Sequence, residues 1–232
     1  MPEVRCAASS TFGVWRCDPP SGAGGPPWPT IVFLHGIGET GDGTPPALRK
    51  IAEGAGLPRE IEQPKNAVLR DSSRFPFLVV APQTPSRWEH VLGDVEAAVD
   101  GVVEAGLVRG RPLLTGFSIG GDGVWAVAAE YPSMFAAIAP IAGQDPAGAE
   151  SIGRALAHVP IWIGYGPDDE HSPRTRPNHV IDALEKAGKT DVEIHEYAGA
   201  EAKPEGWSNH ANVARRAYTD PHLYRWMRDR AP

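Results

Sequence analysis

Residues 113–132 read LLTGFSIGGDGVWAVAAEYP. At their centre, Gly116-Phe117-Ser118-Ile119-Gly120 fits G-x-S-x-G, the pattern of a serine held out on a sharp strand-to-helix turn. Such a serine has strained backbone angles, and bulky residues two positions to either side would strike the crossing strands. Glycine at both places answers that problem. The helix that follows aims its first N–H groups at the site, which favours negative charge there. Five residues are a weak signal in a chain with 26 glycines. The context strengthens it, because RPLLTG before the turn is a strand signal and VWAVAAEYP after it is a helix ended by Pro132. The bland alternative is a plain turn between a strand and a helix.

A serine hydroxyl attacks a carbonyl only with a base beside it, and the base needs an acid to orient it. In chains with such an elbow the order is serine, acid, histidine, each placed after a later strand. PIWIGYGPDDEHSP offers Asp168 or Asp169 just beyond a strand. DVEIHEYAG reads as the last strand, and the loop after it leads to His210 at the start of a C-terminal helix. The other histidines fit structural or surface roles. His195 falls in the strand, His179 and His222 in helices, His35 in the pair His35-Gly36, and His171 beside the acid; His90 and His158 miss the final loop.

A developing oxyanion would need two N–H donors. One is Ile119, next to the serine. The other is assigned to Ile37, with Gly38 the alternative, in the flexible loop HGIGETG that follows the strand TIVFL. That loop lacks the third glycine and the lysine of nucleotide-binding patterns, so nucleotides are excluded. No zinc-ligand spacing appears, and neither metal nor cofactor is expected.

The elements that must position these residues alternate along the chain. Strand-like runs stand at 30–36, 75–82, 111–116, 135–143, 160–166 and 191–199. Helical periodicity fills the intervals, as in residues 88–106, where Val91, Val95, Ala98, Val99, Val102 and Val103 recur at threes and fours. Further helices are read at 118–132, 148–160 and 178–188, and a single long one from His210 to Arg230. Near-continuous apolar strands alternating with helices predict a mostly parallel sheet covered on both faces, in one α/β domain over residues 1–232. One or two antiparallel edge strands are expected before residue 20. Cys6 and Cys17 would face each other if a hairpin turned near Thr11, but reduced thiols are expected, because the N-terminus lacks a signal peptide and points to the cytoplasm. A net charge of −7 with no basic block argues against nucleic acid, and no apolar run is long enough to insert in a membrane. Homodimerisation is compatible with the sequence.

Taken together these blocks resemble the α/β-hydrolase superfamily, and within it the small uncapped esterases of the phospholipase/carboxylesterase and predicted-peptidase kind. The resemblance runs through IVFLHGIGETGDG, FPFLVVAPQTPSRW, LLTGFSIGGDGVWAVAAEYPSMFAAIAPIAG, PIWIGYGPDDEHSP and AYTDPHLYRWM. It implies the α/β-hydrolase fold without a lid domain, Ser118 as nucleophile, His210 as base, and Asp169 as the acid, with Pro173 four residues further on. Three departures stand out. Asp122 takes the place of an aromatic residue after the double glycine, Tyr165 that of a histidine before Gly166, and Val213 that of a tryptophan after the base. Residues 119–168 leave no room for an inserted lid, so the site should be open, with Trp88, Trp207 and Phe117 as its walls. The expectation is a small-molecule ester substrate with a short acyl or aryl group. A peptidase or thioesterase on the same triad, and a binding protein on an idle hydrolase fold, are the alternatives.

Overall fold

Thr30, Ile31, Val32, Phe33 and Leu34 are all buried, and the strand divides them by parity. Ile31 and Phe33 join one apolar cluster, whereas Val32 and Leu34 join another on the opposite face. The same alternation separates Leu113 from Leu114 and Trp162 from Ile161 and Ile163. Such strands carry no polar face because helices cover both sides of the sheet.

The computed structural model describes residues 5–9, 13–63, 66–144, 146–171 and 178–231. Strands β1 (Cys6–Ser9), β2 (Val14–Cys17), β3 (Thr30–Leu34), β4 (Leu78–Pro82), β5 (Leu113–Phe117), β6 (Ala137–Ile141), β7 (Ile161–Tyr165) and β8 (Val192–Glu196) form one sheet. Their order is β1-β2-β4-β3-β5-β6-β7-β8. β2 runs antiparallel to β1 and β4, and the pairs from β4 to β8 are parallel. The helices are α1 (Pro45–Glu53), α2 (Leu57–Glu62), α3 (Leu92–Glu104), α4 (Ile119–Glu130), α5 (Ala149–Ala155), α6 (Asn178–Lys186), α7 (Asn209–Thr219) and α8 (Pro221–Arg230). Residues from α1, α2, α7 and α8 share the cluster of Ile31 and Phe33; those of α4, α5 and α6 share that of Val32 and Leu34.

The strand order places the site. From β3 the chain passes to β4 on one side and returns through α3 to β5 on the other. Loops after β3 and β5 therefore diverge, and the crevice at the carboxyl ends of such strands is where ligands bind in open α/β sheets.

Several expectations need correction. Pro221 begins a new helix with Asp220 as its cap, so the C-terminal helix is broken in two. The helix read from residue 88 starts as a short 3₁₀ turn, Trp88–His90, and Val103 is 46% exposed. Helices α1 and α2 had no counterpart in the periodicity reading. The two cysteines, expected as thiols, form a disulfide. Antiparallel register sets Cys6 directly opposite Cys17, which brings both sulfurs to one place. A disulfide lasts in oxidising compartments, so it weighs against the cytoplasmic expectation. No helix among the described residues is long and apolar enough to cross a membrane. Thr11 and Pro173 lie outside the described residues.

Candidate active site

Ser118 stands between β5 and α4, with φ 59° and ψ −123°, a strained combination for a residue with a side chain. Its N–H donates to Ile141 O at 3.1 Å, which ties the turn to β6. The flanking glycines are demanded by sterics. A Cβ at Gly116 would lie 2.4 Å from Gly120 O, and one at Gly120 would lie 2.0 Å from Leu34 O. Those are backbone atoms that cannot step aside, so the turn exists only with glycine at both positions.

Beyond β7, three consecutive acids point three ways. Asp168 accepts the N–H groups of Gly199 and Ala200, at 2.6 and 2.7 Å, and so staples the loop after β8. Asp169 is 2% exposed and its Oδ2 lies 2.7 Å from His210 Nδ1. Its Oδ1 accepts the His171 N–H at 2.8 Å. Glu170 accepts the N–H groups of Asn209 and His210 at the start of α7, both at 3.0 Å. Burial would raise the Glu170 carboxyl, but the backbone N–H groups of Glu170, His210 and Asn209 outweigh it and hold it below its ordinary value. Of the two acids left open by spacing alone, Asp169 is therefore the one that meets the histidine.

His210 opens α7, whose cap is Ser208 accepting the Ala211 N–H. The Phe117 ring packs against the imidazole at 4.6 Å between centroids, which sets His210 beside the elbow. With Nδ1 accounted for by a buried carboxylate, Nε2 carries no hydrogen-bond partner. Serine–histidine contacts of this kind are often long without substrate and tighten when it binds.

The two assigned oxyanion donors share a structural origin. Ile119 is the first residue of α4, and Ile37 is the first residue of a 3₁₀ turn, Ile37–Glu39. First-turn N–H groups have no acceptor inside their own helix, so neither is consumed by its own turn. Behind them, His35 is fully buried. Thr84 N–H donates to its Nε2 at 3.1 Å, so Nδ1 must carry the proton and donate to Gly36 O at 2.7 Å. Burial lowers its pKa to about 4 despite that bond, and the ring is neutral.

The expected wall residues separate. Trp88 is 0% exposed and cannot face an open cleft. Its indole Nε1 donates to His35 O, and a Cβ at Gly123 would lie 2.4 Å from its own Cβ, so it is a packing support under the elbow. Phe117 is buried against His210. Trp207 is partly exposed beneath the Arg59 guanidinium, 4.7 Å from its ring centre. The departures from the resemblance have local reasons too. Asp122 receives Arg87 at 2.8 Å and the Gln144 N–H at 2.7 Å, beside a cavity of about 280 Å³ that Ala126 and Ile152 also line. Tyr165 OH donates to Glu196 Oε2 across β7 and β8. Val213 fills the space beside Gly166, where a Cβ would come within 2.4 Å of its Cγ2.

Sequence spacing hid one cluster: Asp169, His171 and His210 bring ligand-type atoms within 4.8 Å of one another. The two rings lie 4.9 Å apart and only 33° from parallel. Their in-plane lone pairs run nearly side by side rather than converging, and His210 Nδ1 already meets Asp169. The cluster fits a histidine–carboxylate pair with a stacked neighbour better than a metal centre.

The order of these parts has a match among known proteins. A model of the dienelactone hydrolase family matches residues 78–219, from β4 to the end of α7, which takes in Ser118, Asp169 and His210. The chain belongs to the dienelactone hydrolase family. Within the α/β-hydrolase superfamily this membership narrows the esterase-like resemblance read from the motifs. Solved structures share the fold. A thermostable esterase is 23% identical with a TM-score of 0.72; it is matched over 100% of this chain, which spans 63% of that protein's length. A putative dienelactone hydrolase from Klebsiella pneumoniae is 19% identical with a TM-score of 0.63, over 98% of both chains. A fluorophosphonate-binding serine hydrolase from Staphylococcus aureus is 14% identical with a TM-score of 0.65, again over 98% of both. No curated protein matches the chain.

Proposed function

We propose that this member of the dienelactone hydrolase family is a serine carboxylic-ester hydrolase, its chemistry carried by one domain over residues 1–232. The observation that carries the reading is the buried Asp169–His210 pair at 2.7 Å, with Nε2 unpaired, next to the strained Ser118 elbow. Ser118 attacks the ester carbonyl while His210 takes its proton. Asp169 holds the imidazole in the tautomer with the proton on Nδ1 and stabilises its charged form. The N–H groups of Ile37 and Ile119 meet the oxyanion as it forms, where one such donor is worth about 3 kcal/mol of transition-state stabilisation. His210 then protonates the departing alcohol, and water hydrolyses the acyl-enzyme through the same groups.

The substrate is a small ester with a short acyl or aryl group. Support comes from the absence of room for a lid between Ser118 and Asp169, where α4, β6, α5 and β7 take up the chain. A tunnel for a long lipid chain needs walls that this length does not supply. Phe117 and Trp207 are proposed as the apolar side of the cleft.

Hydrolysis of p-nitrophenyl esters from acetate to long-chain acyl, by the wild type and Ser118→Ala, tests the reading. Rates should peak at short chains, and the substitution should lower kcat about a million-fold, as loss of a triad serine does. Turnover preserved in Ser118→Ala would sink the assignment, and a peak at long chains would sink the substrate class.

A further inference from the structure

Glu39 looks like a solvated loop acid in HGIGETG, yet it is 7% exposed. Its carboxyl group occupies a slot between two glycines. A Cβ at Gly54 would come within 1.9 Å of Oε1, and one at Gly36 within 3.0 Å of Oε2. Oε2 is buried without a hydrogen-bond partner. Burial pushes the carboxyl above its ordinary value, while the backbone N–H groups of Gly36 and Ala55 and the charge of His210 pull the other way. A carboxyl group kept dry at this cost, within electrostatic reach of His210, calls for a reason.

The reason lies in the turn it belongs to. Gly36 and Gly38 have no side chains, and Ile37 is 63% exposed. Of the residues that form the turn, Glu39 alone sends a side chain into the body of the protein. Gln83 grips the same turn only by its backbone, donating to Glu39 O at 2.8 Å. We infer that Glu39 is a positioning residue for acyl transfer: its carboxyl group, seated between Gly36 and Gly54, fixes the turn that presents the Ile37 N–H to the carbonyl oxygen. This rests on the esterase reading above. A loosened donor costs transition-state stabilisation and leaves ground-state binding alone, so the loss should fall on kcat.

The test compares Glu39→Ala and Glu39→Gln with the wild type in p-nitrophenyl acetate hydrolysis and in the rate of fluorophosphonate labelling of Ser118, with thermal melting as a check of fold. Glu39→Ala should lose about 100-fold in kcat, the scale of one oxyanion donor, with KM within about twofold. Glu39→Gln keeps the shape but sets an amide NH₂ where no acceptor waits, and should lose about tenfold. Labelling rates should fall in the same order. A folded Glu39→Gln with wild-type kcat and labelling rate, or a loss confined to KM, overturns the inference. If the wild type labels at Ser118 yet hydrolyses no ester, the ester reading fails, and the labelling rates alone decide the role of Glu39.

Discussion

Asp168, Asp169 and Glu170 show how much chemistry depends on the direction in which a side chain leaves the backbone. One staples a loop, one meets the His210 imidazole and one accepts the first N–H groups of α7. Asp169→Asn should therefore lower kcat about ten-thousand-fold with the fold intact, because the amide favours the wrong imidazole tautomer. Asp168→Asn should cost mainly thermal stability, since its oxygens hold only backbone N–H groups. Steady-state kinetics and melting curves of the two variants separate these outcomes. Loss of catalysis in Asp168→Asn alone would transfer the role to its neighbour. Spacing could not choose between adjacent acids, and the choice came from the resemblance. Nor could spacing reveal that Trp88 is buried: it stands between arginine and glutamate, and the close approach of Gly123 is what makes it core.

At the scale of elements, His35 joins the end of β3 to the loop after β4 through Thr84. Its folded pKa of about 4 lies below the unfolded value of about 6.5. Between those values the unfolded chain binds the proton that the folded protein refuses. Stability is thus whole above about pH 6.5, falls as pH drops, and by pH 4 has lost about 3 kcal/mol from this group. Denaturant unfolding of His35→Gln against wild type from pH 7 to pH 4 should show a flatter profile by that amount; parallel profiles would contradict the neutral buried ring. Five strands, β3 to β7, were legible because each lies in an apolar run bounded by glycine or proline, whereas β8 alternates Val192 and Ile194 with Glu193 and His195. Short α2 escaped notice because six residues hold too few turns for periodicity to register. The break at Pro221 was hidden by apolar spacing that continues across it, although proline at the first helical position is itself a start signal.

For the whole molecule, sheet order separates what secures the edge from what does chemistry. β4 and β3 stand between the β1–β2 pair that Cys6 and Cys17 join and the elbow after β5. Reducing that disulfide should lower unfolding free energy by about 3 kcal/mol, the entropy of a short closed loop, and leave kcat within about twofold. A matching fall in kcat, measured under the same reductant, would mean that the edge reaches the site. The compartment expectation hid the pairing, although antiparallel β1 and β2 set the two cysteines opposite. The central claim is an acyl-enzyme on Ser118, and mass spectrometry after rapid quench tests it most directly. Wild type mixed with p-nitrophenyl acetate should gain the mass of one acetyl group, mapped by peptide digestion to residue 118, and Ser118→Ala should gain none. An acetyl group mapped elsewhere, or turnover with no adduct and no loss in Ser118→Ala, would contradict the account.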